Sequence, residues 1–194
     1  MKARVGILIS GRGSNMASLI EAARDPACPY EVVLVVSNVP DAPGLAFAAA
    51  NGIPQFATSH IGMKRTEFDR LVDGALRDAG VEFVALAGYM RLLSPEFVAK
   101  WPGRMINIHP ALLPAYKGLD THQRVLDAGD ATHGATVHIV TAALDDGPIL
   151  AQAEVPVLEG DDAAALARRV LLEEHKLYPR ALADLVRRST PERP

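Results

Sequence analysis

Cysteine is almost missing from this chain: Cys28 stands alone among 194 residues. That excludes an intrachain disulfide and a cysteine-based zinc site, and it fits a reducing compartment. A surplus of positive charge is missing too. Lys and Arg number 20 against 23 Asp and Glu, a formal net charge of −3, which offers no basic footprint for nucleic acid or an anionic membrane surface. No apolar run reaches the roughly 18 residues that a membrane span requires. Lys2 and Arg4 precede a short apolar run, but Gly6 and the glycine loop beyond it read as a first strand and not as a signal peptide. No repeat, low-complexity tract or linker divides the sequence. What is present is an ordinary globular composition, 49% hydrophobic and 22% charged, expected to form one cytoplasmic domain over 1–188 with a disordered tail over 189–194.

Apolar runs and helical periods alternate through the first half. Val5–Ser10 and Glu31–Ser37 read as buried strands, Pro54–Ala57 as a short strand, and Val81–Ala87 and Arg104–His109 as a fourth and a fifth. Helices are expected over Asn15–Arg24, capped by Ser14 or Asn15, and from Pro43 to Ala50, closed by Asn51-Gly52. Two more are expected over Lys64–Ala79, with Phe68, Leu71, Val72, Ala75 and Leu76 on one face, and over Pro95–Lys100. Continuous apolar strands alternating with helices imply a parallel sheet covered on both faces. After His109 the pattern changes. Residues 110–133 are punctuated by proline and glycine, hold one helix over Thr121–Ala128, and read as a lid because few apolar residues anchor them after Tyr116. Gly134–Val140 and Pro148–Pro156 suit an antiparallel addition at one end of the sheet, and Asp161–Arg188 is one long amphipathic segment expected to kink at Pro179. The fold class is α/β, a Rossmann-like and mostly parallel sheet with a long C-terminal helix.

The chemistry concentrates in Asn107-Ile108-His109-Pro110, followed 36 residues after the histidine by Asp145-Asp146-Gly147-Pro148. An amide, an imidazole and a carboxylate in one pocket handle a tetrahedral intermediate: Asn107 donates to an oxyanion, His109 holds or moves a proton, and Asp145 orients and charges the histidine. Asn107 and His109 are two apart and share a face of an extended segment. None of the three is a nucleophile, which points to direct transfer between two bound substrates. Read without that context, His109 is a core histidine and Asp145-Asp146-Gly147 a turn.

Other motifs carry two readings each. Gly11-Arg12-Gly13-Ser14-Asn15 lies between a strand and a helix, where backbone N–H groups favour an anion; the bland alternative is a tight turn. Met16 stands where a dinucleotide fingerprint needs a small residue, so the loop suits one terminal phosphate. Leu86–Leu93 lies past the end of a central strand and offers an apolar patch for a flat heterocycle, although Met90, Leu92 and Leu93 are also ordinary core residues. His122, His133 and His138 match no compact metal-ligand spacing. His138 is placed to touch substrate from its strand, while His122 and His133 read as loop or surface residues. Glu173-Glu174 is by default a solvated helix face, and Arg65 a surface residue unless a ligand brings carboxylates.

Taken together, Ile7–Asn15, Leu86–Pro95, Asn107–Pro114, His133–His138 and Glu174-His175-Lys176-Leu177-Tyr178-Pro179 resemble the folate-dependent formyltransferases over nearly the whole chain. The Gly-x-Gly-Ser-Asn loop and the Glu-His-x-x-Tyr-Pro segment favour the phosphoribosylglycinamide formyltransferase branch. The resemblance implies that Gly13, Ser14 and Asn15 hold the phosphate of a glycinamide ribonucleotide, with Glu174 and His138 also on that substrate. It implies a folate site formed by Met90, Arg91, Leu92, Leu93, Asn107 and the loop Thr141, Ala142, Ala143, Leu144 and Asp145, with Arg65 near the folate tail. Asn107, His109 and Asp145 would be the catalytic set, 10-formyltetrahydrofolate the co-substrate, no metal would be needed, and Leu113-Pro114 would be a cis peptide. Small molecules would be the partners of a monomer or homodimer, with no nucleic acid or membrane. Ala111, Ala115 and Asp120 depart from residues common among relatives and touch only the mobile loop. A formyltetrahydrofolate deformylase would carry an extra N-terminal domain, and a methionyl-tRNA formyltransferase a basic C-terminal one. A non-catalytic nucleotide-binding module would leave Asn107, His109 and Asp145 without a reason to coincide.

Overall fold

The computed structural model describes residues 1–189. Their order is β1 (Ala3–Ile9), α1 (Ser14–Ala23), β2 (Tyr30–Ser37), α2 (Gly44–Ala50), β3 (Gln55–Ala57), α3 (Arg65–Asp78), β4 (Phe83–Leu86), α4 (Pro95–Val98), β5 (Met105–His109), α5 (Thr121–Ala128), β6 (Thr132–Ile139), β7 (Ile149–Pro156) and α6 (Ala163–Ser189). One seven-stranded sheet runs β3-β2-β1-β4-β5-β6-β7, with β1 to β5 parallel and β6 and β7 antiparallel additions.

The continuous apolar runs follow from a sheet with a core on each side. Val5, Ile7 and Ile9 of β1 pack with α1 and α6, while Leu8 faces the opposite cluster with Phe68, Val72 and Leu76 of α3. Gly6 lets α3 come close: a Cβ there would sit 2.5 Å from Leu76 Cδ2. Removing each such side chain from water is worth about 1.5–3 kcal/mol. Tyr178 of α6 is fully buried, and its hydroxyl lies 2.8 Å from the Leu86 carbonyl and 3.2 Å from that of Ile106, joining the ends of β4 and β5.

Several expectations change. Neither Ser14 nor Asn15 caps α1; Gly13 takes the N-cap position with φ 70° and no side chain caps the helix. The glycine turns the chain into the helix through left-handed backbone, which leaves Asn15 inside the first turn with its side chain turned to another partner. Leu71 is 45% exposed and falls off the buried face of α3, which instead carries Asp69 and Asp73. His133 is 1% exposed within β6, not a loop or surface residue. Pro179 lies inside α6, which continues through it as one helix to Ser189, so the expected tail begins too early by one residue. The rest of that tail, 190–194, lies outside the described residues. No helix among the described residues is long and apolar enough to cross a membrane.

β1 and β4 are neighbours, yet the chain leaves β1 toward β2 and β3 on one side and later continues from β4 to β5 on the other. The crevice beyond their C-terminal ends is the topological switch point, where open α/β sheets take ligands.

Candidate active site

The loop after β1 forms one wall of this crevice. A Cβ on Gly13 would stand 2.9 Å from Met16 Cε, and one on Gly44 would meet the Gly11 and Arg12 carbonyl oxygens at 3.0 and 3.1 Å. The start of α2 therefore presses on the loop, and the Gly44 N–H donates to Gly11 O at 3.0 Å. With no side-chain cap on α1, its first N–H groups and the positive end of its dipole suit an anion. Ser14 is exposed beside them. Asn15 is buried and donates from Nδ2 to Glu174 Oε2 at 2.8 Å, across 159 residues of sequence. Burial pushes the Glu174 carboxyl above its ordinary value, and the Asn15 bond pulls it back. Glu174 is thus a buried, hydrogen-bonded acid and not a solvated helix face.

The segment after β4 forms the opposite wall. Met90 is 69% and Leu92 55% exposed, so neither is core. Leu93 is half-buried against the α3 cluster, and the Arg91 guanidinium lies 5.1 Å from the centre of the Phe68 ring. Arg65 is exposed on the first turn of α3, and no hydrogen bond or ion pair ties it to the other candidates.

β5 and β6 bring the polar set together. Asn107 stands directly opposite His138, and His109 opposite Thr136. Asn107 Nδ2 approaches His138 Nε2 at 3.4 Å. The other nitrogen of His138, Nδ1, donates to the Ile139 carbonyl at 2.9 Å. His109 is 5% exposed. Its Nε2 donates to the Tyr116 carbonyl at 2.9 Å, and its Nδ1 lies 3.4 Å from Asp145 Oδ2. Both ring nitrogens therefore face acceptors, which fixes the plane of the ring.

Asp145 closes the set from the β6–β7 loop. It is 7% exposed and adopts φ 48°. Burial would raise its carboxyl, but the His138 contact, the Gly118 N–H at 3.0 Å and the charge of His109 together hold it below its ordinary value. Gly147 anchors the same loop, since a Cβ there would lie 1.7 Å from the Ile139 carbonyl oxygen. Within the loop Thr141 is half-buried, while Ala142, Ala143 and Leu144 are exposed. Leu113-Pro114 is a cis peptide. Among the described residues, no group of three or more His, Cys, Asp or Glu is arranged to hold a metal ion.

A buried histidine between a carboxylate and a carbonyl, on the same strand face as an amide two residues before it, suits transfer through a tetrahedral intermediate. Residues 3–182 match the family model described as formyl transferase. The chain belongs to the formyl transferase family. It is 42% identical over 174 residues to phosphoribosylglycinamide formyltransferase of Escherichia coli (strain K12), covering 89% of this chain and 82% of that one. A solved structure of phosphoribosylglycinamide formyltransferase from Brucella melitensis superposes with a TM-score of 0.92 at 50% identity, covering 96% of each chain. The chain is also 46% identical over 182 residues to the trifunctional purine biosynthetic protein adenosine-3 of Bos taurus, of whose length it spans 18%.

For a formyl transferase, the sequence left some supporting residues unmarked. Thr136 accepts from the Leu113 N–H at 3.0 Å and donates to the Ala111 carbonyl at 2.7 Å. Gln152 on β7 reaches both Thr136 Oγ1 and the Leu113 carbonyl at 2.9 Å. Together they hold the segment behind His109. Alternation along His133–His138 puts Thr136 on the face of His138, a signal that would have found it; Gln152 had none. His122 and His133 meet at 3.1 Å, Nδ1 to Nε2.

Proposed function

We propose that this formyl transferase moves the formyl group of 10-formyltetrahydrofolate to the glycine amine of N1-(5-phospho-ribosyl)glycinamide, a step of de novo purine biosynthesis. The observation that carries the reading is His109, buried with Nδ1 against Asp145 and Nε2 on a main-chain carbonyl, beside Asn107. The amine attacks the formyl carbon, forming a new C–N bond and a tetrahedral oxyanion. Asn107 and the His109 imidazolium stabilise that charge, and Asp145 keeps the histidine oriented and charged. When the bond to the folate nitrogen breaks, that nitrogen takes a proton by way of His109 Nε2, once segment 110–133 has drawn the Tyr116 carbonyl away from it, and the incoming amine gives one up. The chain itself forms no covalent intermediate.

The loop at Gly13, Ser14 and Asn15 would take the ribonucleotide phosphate, with Glu174 and His138 also on that substrate. The exposed apolar side chains of Met90, Leu92 and Leu144 would cover the pterin with Arg91, Leu93 and residues 141–143, and Arg65 would meet the folate tail. The reading describes a cytoplasmic enzyme of small-molecule substrates, monomer or homodimer, without metal, nucleic acid or membrane. The named relatives from Escherichia coli and Brucella melitensis support it by their length and identity. The test mixes 10-formyltetrahydrofolate with the ribonucleotide and looks for the formylated product. Formate released at the same rate without acceptor would instead make the protein a deformylase.

A further inference from the structure

Ser10 is the last residue before the glycine loop and the first after β1. Its main chain continues the β1–β4 pairing: the Ser10 N–H donates to the Gly88 carbonyl at 3.2 Å. Its side chain does more. The Met90 N–H donates to Ser10 Oγ at 2.8 Å, across 80 residues, and the hydroxyl proton goes the other way, to Asn38 Oδ1 at 2.5 Å. Asn38 is 3% exposed, and its Nδ2 lies 3.1 Å from His60 Nδ1.

The chain of bonds has a direction. A hydroxyl has one proton to give, so donation to Asn38 turns its lone pairs toward Met90. The Asn38 amide is in turn held by His60, whose Nδ1 lies 3.1 Å from both the Asn38 side-chain nitrogen and its main-chain carbonyl oxygen. Hydrogen bonds in such a series polarise one another. The surroundings of Met90 make this anchor matter. The Met90 side chain is 69% exposed and Leu92 55%, so packing holds little of the segment's leading edge. The Ser10 bond fixes its main chain in place of packing.

We infer that Ser10 is a positioning residue that sets the main chain of Met90–Leu93 for the formyl donor and locks it to the start of the phosphate loop. One side chain thereby ties the two substrate subsites together at the switch point. The inference rests on the proposed assignment of the donor to Met90–Leu93.

The test uses the full chain with Ser10→Ala and Ser10→Thr. In Ser10→Ala the KM for 10-formyltetrahydrofolate rises roughly five- to tenfold, the size of one neutral hydrogen bond, while the ribonucleotide KM and kcat stay within about twofold. Ser10→Thr keeps the hydroxyl and restores the donor KM. Amide exchange supplies a readout independent of substrate: Met90 exchanges faster in Ser10→Ala than in wild type and Ser10→Thr, with the amides of β1 unchanged. An unchanged donor KM, equal rises in both KM values, an equal loss in both variants, or a Met90 amide indifferent to the hydroxyl would overturn the inference. A wild-type protein that binds no folate removes the donor assignment itself, and the positioning role with it, even if Met90 exchange responds as described.

Discussion

His109 reaches the end of β5 with one ring nitrogen on the Tyr116 carbonyl and the other toward Asp145, the one carboxylate against its ring among the described residues. Asp145→Asn keeps the shape of the side chain but removes the charge. It is expected to lower kcat/KM by roughly 10²–10⁴, the range for a positioned acid–base group. A wild-type rate would mean that Asp145 is only a turn residue. Gly13→Val places a β-branched side chain where φ is 70° and Met16 already crowds the position. It should raise the ribonucleotide KM and leave the donor KM near wild type; equal rises would point to general misfolding. That Asn107, His109 and Asp145 would come together was legible because amide, imidazole and carboxylate at that spacing have few other joint uses; the structure brings them to one place. His133 was not, because its neighbours are Val155 of β7 in the ladder and His122 of α5 at its ring, and neither lies beside it in sequence.

Strands and helices were legible wherever a local pattern decides them. The buried strands show as unbroken apolar runs because both faces of the sheet carry a core, and α5 appears with its expected ends at Thr121 and Ala128. Caps were less legible: the loop before α1 is shaped by Gly44, which arrives from the start of α2 on the far side of β2. The β6–β7 loop offers a direct test. Gly147→Ala drives a methyl into the Ile139 carbonyl, so the loop carrying Asp145 must shift. Activity should then fall well beyond the loss of thermal stability; parallel losses would mean that the loop moves freely. The segment 110–133 crosses the same site. Its Tyr116 carbonyl holds His109, its Tyr116 hydroxyl reaches Asp130, and Lys117 pairs with Asp146. Amide exchange over this segment should slow when folate and ribonucleotide are bound together. Identical exchange with and without them would argue for a fixed loop.

At the level of the whole molecule, acid should weaken the fold in two stages. Burial, followed by the charges of His122 and His109, brings His133 down to about 4 from 6.5. As pH falls between those values the unfolded chain takes up a proton that the folded one refuses, so stability drops across that window. Asp73 and Asp145 act lower. Burial works against both, yet Lys100 and Arg77 for Asp73, and His138 and Gly118 for Asp145, keep them below 3.8. Their stabilisation is present above that value and is lost as pH falls through their folded values. Thermal unfolding between pH 7 and pH 4.5 should therefore decline more steeply in wild type than in His133→Gln. Equal slopes would remove His133 as the cause of the first stage.

Because β6 runs against β5, the working edge of the sheet waits for the last third of the polypeptide. A ribosome emits the N-terminus first, at about 5–20 residues per second. When Gly129 has emerged, β1 to β5 and the glycine loop after β1 exist, with Asn107 and His109 among them. His138, Asp145 and Glu174 are still unmade, and so is Tyr178, whose hydroxyl joins the ends of β4 and β5. β5 is meanwhile an unpaired edge of buried residues, open to the wrong neighbour. The order of synthesis thus leaves a nascent chain most exposed to aggregation in the interval before Thr132–Ile139 arrives; those eight residues seal the sheet, and the site is complete only once Asp145 and Glu174 have followed them.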